Sequence, residues 1–167
     1  CGHATLAAAH VLWQEGLVKG GAINFASKSG TLRVYRNGDL YTLDFPKQAG
    51  VEKPELAEQV RAILNTPVLY VGSNDHDCLV VLESDREIRN LSPDLDKISA
   101  LKERGLIVSA KDSSGKYDYV YRAFFPRLGI PEDPVTGSAN TILLPYWADA
   151  LGKNKLTAYQ ASARGGE

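Results

Sequence analysis

Two stretches of this 167-residue chain are apolar on almost every side when drawn as helices. Residues 3–15 read HATLAAAHVLWQE, and residues 138–151 carry Ile142, Leu143, Leu144, Tyr146, Trp147 and Leu151. A helix that is hydrophobic all round belongs at a centre, wrapped by other elements. Gly16 offers a stop to the first helix. Pro145 lies inside the second and is expected to bend it, because proline removes one hydrogen bond and crowds the carbonyl of Thr141. Two such helices predict two centres.

The two stretches echo each other. Shifting the chain by 135 residues lays Gly2 on Gly137, Ala4 on Ala139, Ala26 on Ala161, Ser27 on Ser162 and Gly30 on Gly165. Chance similarity between two Ala- and Leu-rich helices is the competing explanation. The order of roles also coincides, however: glycine, apolar helix, turn, strand, then Ser-x-x-Gly. Self-similarity at a long period signals duplicated architecture. Each half would then be built on a central helix with a small polar loop at its mouth, Cys1-Gly2-His3 in one and Thr136-Gly137-Ser138 in the other.

Between the helices the pattern is of short strands. Residues 22–26 read as one. Residues 31–36 and 39–45 flank Asn37-Gly38, the preferred two-residue type I′ hairpin turn, and pairing outward from it matches Arg36 with Asp39, Val34 with Tyr41 and Leu32 with Leu43. The polar stretch 47–54 marks a division of the chain into 1–48 and 49–167. Pro54 suits the first position of a helix reaching about Leu64. Strands are expected at 68–71 and 78–82 around a turn at 72–77, and helices within 84–104 broken at Ser92-Pro93. A second hairpin joins 106–110 to 117–125 and a strand lies near 156–160.

Composition excludes several classes. Lys+Arg number 19 against Asp+Glu 20, a net charge of −1, so bulk electrostatics recommends neither nucleic acid nor a membrane surface. No apolar run approaches the roughly 20 residues that span a bilayer. Cys1 and Cys78 make no disulfide framework, and no Cys/His cluster has zinc-ligand spacing, so a reducing cytoplasm and no metal are expected. The chain lacks methionine and opens on Cys1 without a signal peptide, which suggests an internal piece of a longer protein.

The helix mouths carry the candidate chemistry. A helix start exposes about four unpaired N–H groups and a partial positive charge, which together suit an anion. Glycine at the entry lets a ligand approach the backbone. A cysteine there can serve as base or nucleophile. Glu132-Asp133-Pro134 adds carboxylates beside Ser138, as proton shuttle or as ordinary cap.

The segments Cys1-Gly2-His3-Ala4-Thr5-Leu6-Ala7 and Glu132-Asp133-Pro134-Val135-Thr136-Gly137-Ser138-Ala139-Asn140 resemble the two signature segments of the phenazine-biosynthesis isomerase-like family. So do Leu143-Leu144-Pro145-Tyr146-Trp147 and Ser162-Ala163-Arg164-Gly165-Gly166. The resemblance implies an α+β, diaminopimelate epimerase-like fold of two pseudo-symmetric halves, each a mixed sheet wrapped around a central helix, with both helices opening on one cleft. It implies a cofactor-independent isomerase that moves a proton and a double bond on a small carboxylate-bearing molecule, as on a dihydro-hydroxyanthranilate, and that works as a homodimer. It carries supporting catalytic roles onto His3, Asp133 and Ser138, and the helix mouths add substrate contacts from Cys1, Gly2, Thr136 and Gly137. It also implies a proton-shuttling glutamate in a segment preceding Cys1 and further strands after Gly166. The 167 residues alone are therefore expected to be weakly active and to self-associate through uncovered edges.

One departure matters. Related epimerases place a cysteine at each helix mouth, whereas the second position here is Thr136, which cannot form a thiolate. A racemase of amino acids is thus the weaker alternative, beside a non-catalytic ligand-binding protein of the same fold. An N-terminal-nucleophile hydrolase is disfavoured because Cys1 opens a helix rather than a strand. His10 reads as a hydrogen-bonded core histidine, His76 as solvated and Cys78 as an inert core thiol. Tyr117, Tyr119 and Tyr121 read as packing, and Arg164 as either an anion ligand or half of a surface ion pair.

Overall fold

The structure is a computed structural model and describes residues 1–28, 30–74 and 76–167. These divide into two compact units, Cys1–Pro46 and Lys47–Glu167.

The first unit packs helix α1 (Gly2–Gln14) on an antiparallel sheet of β1 (Ala22–Ser27), β2 (Gly30–Asn37) and β3 (Leu40–Asp44), in the order β1-β2-β3. Gly16 ends α1 in the left-handed conformation at φ +65°. Ala9, Trp13 and Val34 form the buried centre, with Leu6, Ile23, Phe25 and Leu43 around them. The Trp13 indole N–H donates to the Gly20 carbonyl at 2.8 Å, so burying the ring leaves no donor unpaired.

Two expectations are corrected in this unit. First, α1 is not wrapped on every side: Ala4, Ala7, Ala8 and Val11 are exposed. A single three-stranded sheet covers only one face of a helix. His10 is exposed too, and its Nδ1 bonds the Tyr41 hydroxyl at 3.0 Å rather than sitting in a core. Second, the hairpin register is shifted by two. Val34 pairs with Leu43, Arg36 with Tyr41 and Asn37 with Leu40, so the turn residues are Gly38 and Asp39. A type I′ turn over Asn37-Gly38 needs positive φ at both residues, and only Gly38 adopts it, at +63°. Glycine first with an ordinary second residue suits a type II′ turn, which matches the strand twist equally well. A shift of two keeps Leu32, Val34, Tyr41 and Leu43 on one face.

The second unit is a mixed six-stranded sheet of β4 (Val51–Glu52), β5 (Tyr70–Ser73), β6 (Asp77–Val81), β7 (Gly105–Lys111), β8 (Tyr119–Phe124) and β9 (Ala158–Gln160), in chain order. Among the described residues only β6·β7 and β8·β9 pair in parallel. Both pairs are joined by helical crossovers, as parallel pairing requires: α3 (Asp85–Asn90) and α4 (Leu95–Ser99) in the first, α5 (Asn140–Leu151) in the second. Pro54 opens a short 3₁₀ turn, Pro54–Leu56, that leads into α2 (Ala57–Leu64). The expected turn at 72–77 includes Asp75, which lies outside the described residues.

Alternation along the strands fills both faces. Cys78, Val80, Leu106, Val108 and Val120 meet Val60, Ile63, Ile88 and Ile98 of the helices on one side. Leu79, Val81, Ile107, Tyr119 and Tyr121 meet Ile142, Leu143 and Trp147 of α5 on the other. Helix α5 runs through Pro145 and leaves Leu144 exposed, so it too buries one face rather than its whole circumference.

The echo extends to local structure. With the same 135-residue shift, the start of α1 falls on the start of the 3₁₀ turn (Gly137–Ala139) that leads into α5, and β9 falls within the span of β1. Gly30 and Gly165 are both left-handed, at φ +97° and +73°. Each is bonded by the serine three residues earlier: Ser27 Oγ donates to the Gly30 carbonyl at 2.6 Å, and Ser162 Oγ accepts the Gly165 N–H at 3.1 Å.

Candidate functional site

The 133–138 loop leads from β8 into α5 and is held from three sides. At its base, Arg122 on β8 forms a two-pronged pair with Glu132 at 2.7 Å for each prong, and also donates to the Ile88 and Leu91 carbonyls. Glu132 is thereby committed to structure. Asp133 follows, its backbone N–H donating to the Ala123 carbonyl at 2.9 Å.

From β9 comes Gln160, whose side chain is almost entirely buried. Its Oε1 accepts the Thr136 N–H at 2.5 Å. Its Nε2 donates to the Asp133 carbonyl at 2.5 Å and to Thr136 Oγ1 at 3.2 Å. Thr136, itself buried, donates its hydroxyl hydrogen to Asp133 Oδ2. The Asp133 carboxylate is half-buried and fixed on one oxygen.

From β8 comes a chain of hydroxyls. The Tyr119 hydroxyl donates to Asn140 Oδ1 at 2.7 Å, Asn140 Nδ2 donates to the Tyr121 hydroxyl at 3.5 Å, and Tyr121 donates to the Thr136 carbonyl at 3.2 Å. Burial holds the Tyr121 phenol up at about 12 and raises that of Tyr119 as well. Both remain neutral donors at physiological pH. These tyrosines pack, as their spacing suggests, but their hydroxyls also aim the loop.

The third support is the C-terminal turn. Ser162 Oγ donates to the Pro134 carbonyl at 2.7 Å. A Cβ at Gly166 would fall 2.6 Å from Val135, so glycine permits that close approach. Arg164 is exposed and forms no ion pair among the described residues. At the helix mouth, a 3₁₀ turn (Gly137–Ala139) precedes α5 without a side-chain cap, and the N–H groups of Gly137 and Ser138 have no protein partner among the described residues. A Cβ at Gly137 would meet nothing within 4 Å, so this entry faces open space.

In the first unit, Cys1 Sγ lies 3.6 Å from both ring nitrogens of His3, and both residues are exposed. Thr5 donates its hydroxyl to the Cys1 carbonyl at 2.9 Å. Gly2 differs from Gly137. A Cβ there would stand 2.9 Å from the Phe45 ring, so packing alone already requires glycine at this position.

Cys78 is buried, and burial, helped by Glu103 and Asp77, pushes its thiol up to about 12. His76 is exposed. A cavity of about 890 Å³ in the second unit is lined by Lys53, Ser73, His76, Lys102 and Glu103, among others, but by none of the expected site residues. Among the described residues no group of three or more His, Cys, Asp or Glu is arranged to hold a metal ion. No helix among them is long and apolar enough to cross a membrane.

An α+β chain with a carboxylate pinned at the mouth of a helix, in halves that repeat local structure, defines a class. This chain belongs to the phenazine biosynthesis-like protein family, whose sequence model matches residues 1–167. An uncharacterized isomerase of Pseudomonas aeruginosa is 47% identical over 167 residues, covering 100% of this chain and 63% of that protein. An uncharacterized isomerase of Halalkalibacterium halodurans is 41% identical over 167 residues, covering 99% of this chain and 63% of that protein. A crystal structure of a phenazine biosynthesis protein of Enterococcus faecalis superposes with a TM-score of 0.89 at 39% identity, covering 99% of this chain and 63% of that one. The chain thus spans under two thirds of the length of these relatives. Its fold is that of the family, α+β with two sheets and diaminopimelate epimerase-like.

Proposed function

We propose that the protein is an isomerase that moves a proton and a double bond on a small carboxylate-bearing molecule, without a cofactor. In this reading a glutamate outside these 167 residues shuttles the proton, Asp133 supports it beside the reacting carbon, Ser138 and the free N–H groups of Gly137 and Ser138 hold the acid group, and Thr136 orders the loop. His3 acts as donor or relay, with Cys1 and Gly2 beside the substrate. The observation that carries the reading is the Asp133 carboxylate, half-buried and fixed by Thr136 at an uncapped helix start. General acid–base work needs a group held in place, and an anion needs unpaired donors; this loop offers both. That relatives are named isomerases adds support.

Thr136 also weighs against two-thiol racemisation, since its hydroxyl is already given to Asp133. The reading further has the protein working in the cytoplasm as a homodimer, which sedimentation of the purified protein tests for its second part. The activity is tested in heavy water with a dihydro-hydroxyanthranilate, using the protein as its gene encodes it. Expected are deuterium incorporation at carbon and its loss in Asp133→Asn and His3→Ala. Incorporation that survives Asp133→Asn unchanged would remove Asp133 from the reaction.

A further inference from the structure

A chain of hydrogen bonds runs in one direction through the second unit and ends at an N–H with no acceptor. Its direction follows from the Thr136 carbonyl, which can only accept. The Tyr121 hydroxyl, 3.2 Å away, therefore gives that carbonyl its single hydrogen. Tyr121 can then only accept from Asn140, so the atom facing it at 3.5 Å is the amide nitrogen Nδ2. The Asn140 oxygen is left to accept from the Tyr119 hydroxyl at 2.7 Å. Every member of the chain donates toward Thr136.

The Thr136 carbonyl shares a planar trans peptide with the Gly137 N–H, and in such a unit the two point in opposite directions. Tyr121 is buried, so a carbonyl aimed at it turns the Gly137 N–H outward. Gly137 is exposed, and its N–H has no protein partner among the described residues. The neighbouring ties hold this arrangement: the Ala139 N–H also donates to the Thr136 carbonyl at 3.2 Å, and Gln160 Oε1 holds the preceding peptide by the Thr136 N–H. Linked hydrogen bonds polarise one another, so a carbonyl that accepts makes the N–H of its own peptide a stronger donor. Any helix start has unpaired N–H groups. What distinguishes this one is the buried chain behind it.

We propose that Tyr121 is a positioning residue for substrate binding: through the Thr136–Gly137 peptide it aims and strengthens the Gly137 N–H as a donor to the acid group of a small carboxylic acid. Asn140 serves the same end by keeping the Tyr121 hydrogen on the carbonyl. Burial holds the Tyr121 phenol up at about 12, so that hydrogen stays in place wherever a carboxylic acid is ionised in neutral solution. The inference rests on the reading of this helix mouth as the acid-group site, and adds the residues that fit one N–H for the task.

The test titrates benzoate into the protein as its gene encodes it and follows the Gly137 amide signal by NMR. Benzoate should shift that signal in the wild type. Tyr121→Phe keeps the ring and removes only the hydroxyl, and should weaken benzoate about tenfold, near the lower end of what a hydrogen bond to a charged group contributes. With a dihydro-hydroxyanthranilate, KM should rise by a similar factor while kcat stays within about threefold, as expected when a contact holds substrate and transition state alike. A purely structural role would instead lower the folded fraction, and with it kcat, at unchanged KM. Asn140→Asp, of the same size, offers Tyr121 an acceptor in place of a donor, so the hydroxyl hydrogen leaves Thr136 and benzoate should weaken with both phenol rings in place. Wild-type affinity in folded Tyr121→Phe overturns the positioning role and spares the acid site. Should neither variant fold, a crystal of the wild type with benzoate decides. A benzoate oxygen on the Gly137 N–H, with Tyr121 still on the Thr136 carbonyl, supports the proposal; benzoate bound elsewhere with that N–H unused overturns it. A wild-type Gly137 amide that benzoate leaves unmoved removes the acid group from this mouth, and the proposed mode of holding substrate falls with it.

Discussion

The Gln160 side-chain oxygen accepts the Thr136 backbone N–H at 2.5 Å, so the last strand of the second unit is tied directly to the entrance of its central helix. Both residues are buried, and every polar atom of the amide has a partner. Gln160→Leu would keep most of the volume but orphan the Thr136 N–H. Leaving a buried donor unpaired costs about 1–3 kcal/mol, and a loss of that size in urea unfolding is the expected outcome. A change within the ±0.5 kcal/mol typical of surface positions would mean that water replaces the amide at no cost.

Arg122 is the second tie. Its guanidinium, mostly buried, serves Glu132 and two carbonyls at once. Arg122→Ala leaves Glu132 and those carbonyls without their donor, and breaking a buried pair from one side typically costs about 3–5 kcal/mol. Urea unfolding measures it. Arg122→Ala together with Glu132→Ala should be less damaging than the sum of the two single changes, because the second substitution removes the carboxylate that the first one stranded.

How much of this was legible in the sequence depends on how local the cause is. The start of α1 at Gly2 and of the 3₁₀ turn at Gly137 that leads into α5 follow from glycine before an apolar run, and the break between α3 and α4 follows from Ser92-Pro93. The hairpin register was not legible, because Asn37-Gly38 and Gly38-Asp39 are both acceptable turns and pair the same apolar face. Nor does an apolar helix announce how many sides its neighbours will cover, which is why α1 and α5 were expected to be wrapped. The motif marked Asp133, Thr136, Gly137 and Ser138, but not Gln160, which is 24 residues away from Thr136. Its signal is faint: a lone amide at the end of a short apolar strand.

Acid should act on the turn that joins β7 and β8. Asp112 is buried there. Burial would raise its carboxyl, but hydrogen bonds from Ser114 and the Tyr117 N–H, with the nearby Arg89, hold it below the usual carboxylate range. A carboxyl lowered in the folded state contributes stability that is present above its unfolded pKa, about 3.9, and is lost as pH falls through the lower folded value. Asp112→Asn should therefore unfold less steeply with acid below about pH 4 than the wild type does. Urea midpoints at pH 6 and pH 3 check this. Identical acid sensitivity in the two proteins would show that Asp112 contributes nothing to it.

The two cysteines should behave oppositely toward a thiol reagent. Cys1 is exposed, while Cys78 is buried in β6 with its thiol held at about 12. The thiolate is the reactive form, so Cys78 is protected both by access and by protonation. One thiol should label quickly in the native protein at neutral pH, and the second only in denaturant. Fast labelling of both would mean that β6 opens readily.

Gly137 and Gly2 occupy matching places in the two halves, yet a side chain should act differently at each. At Gly137 a Cβ meets nothing within 4 Å and the backbone has no need of positive φ, so Gly137→Val should leave the melting temperature nearly unchanged. Its methyl groups would instead stand in the open space before the unpaired N–H groups of Gly137 and Ser138, where an acid group is proposed to lie. Titrating a benzoate-type acid into the wild-type protein should shift the amide signals of residues 137–139, and Gly137→Val should abolish those shifts. At Gly2 the new Cβ would fall 2.9 Å from the Phe45 ring, so Gly2→Ala should show itself first in the Phe45 ring signals. If Gly137→Val unfolds the protein while the acid still shifts those amides in the remaining folded fraction, the glycine serves the loop's backbone, and the ligand approaches from another side.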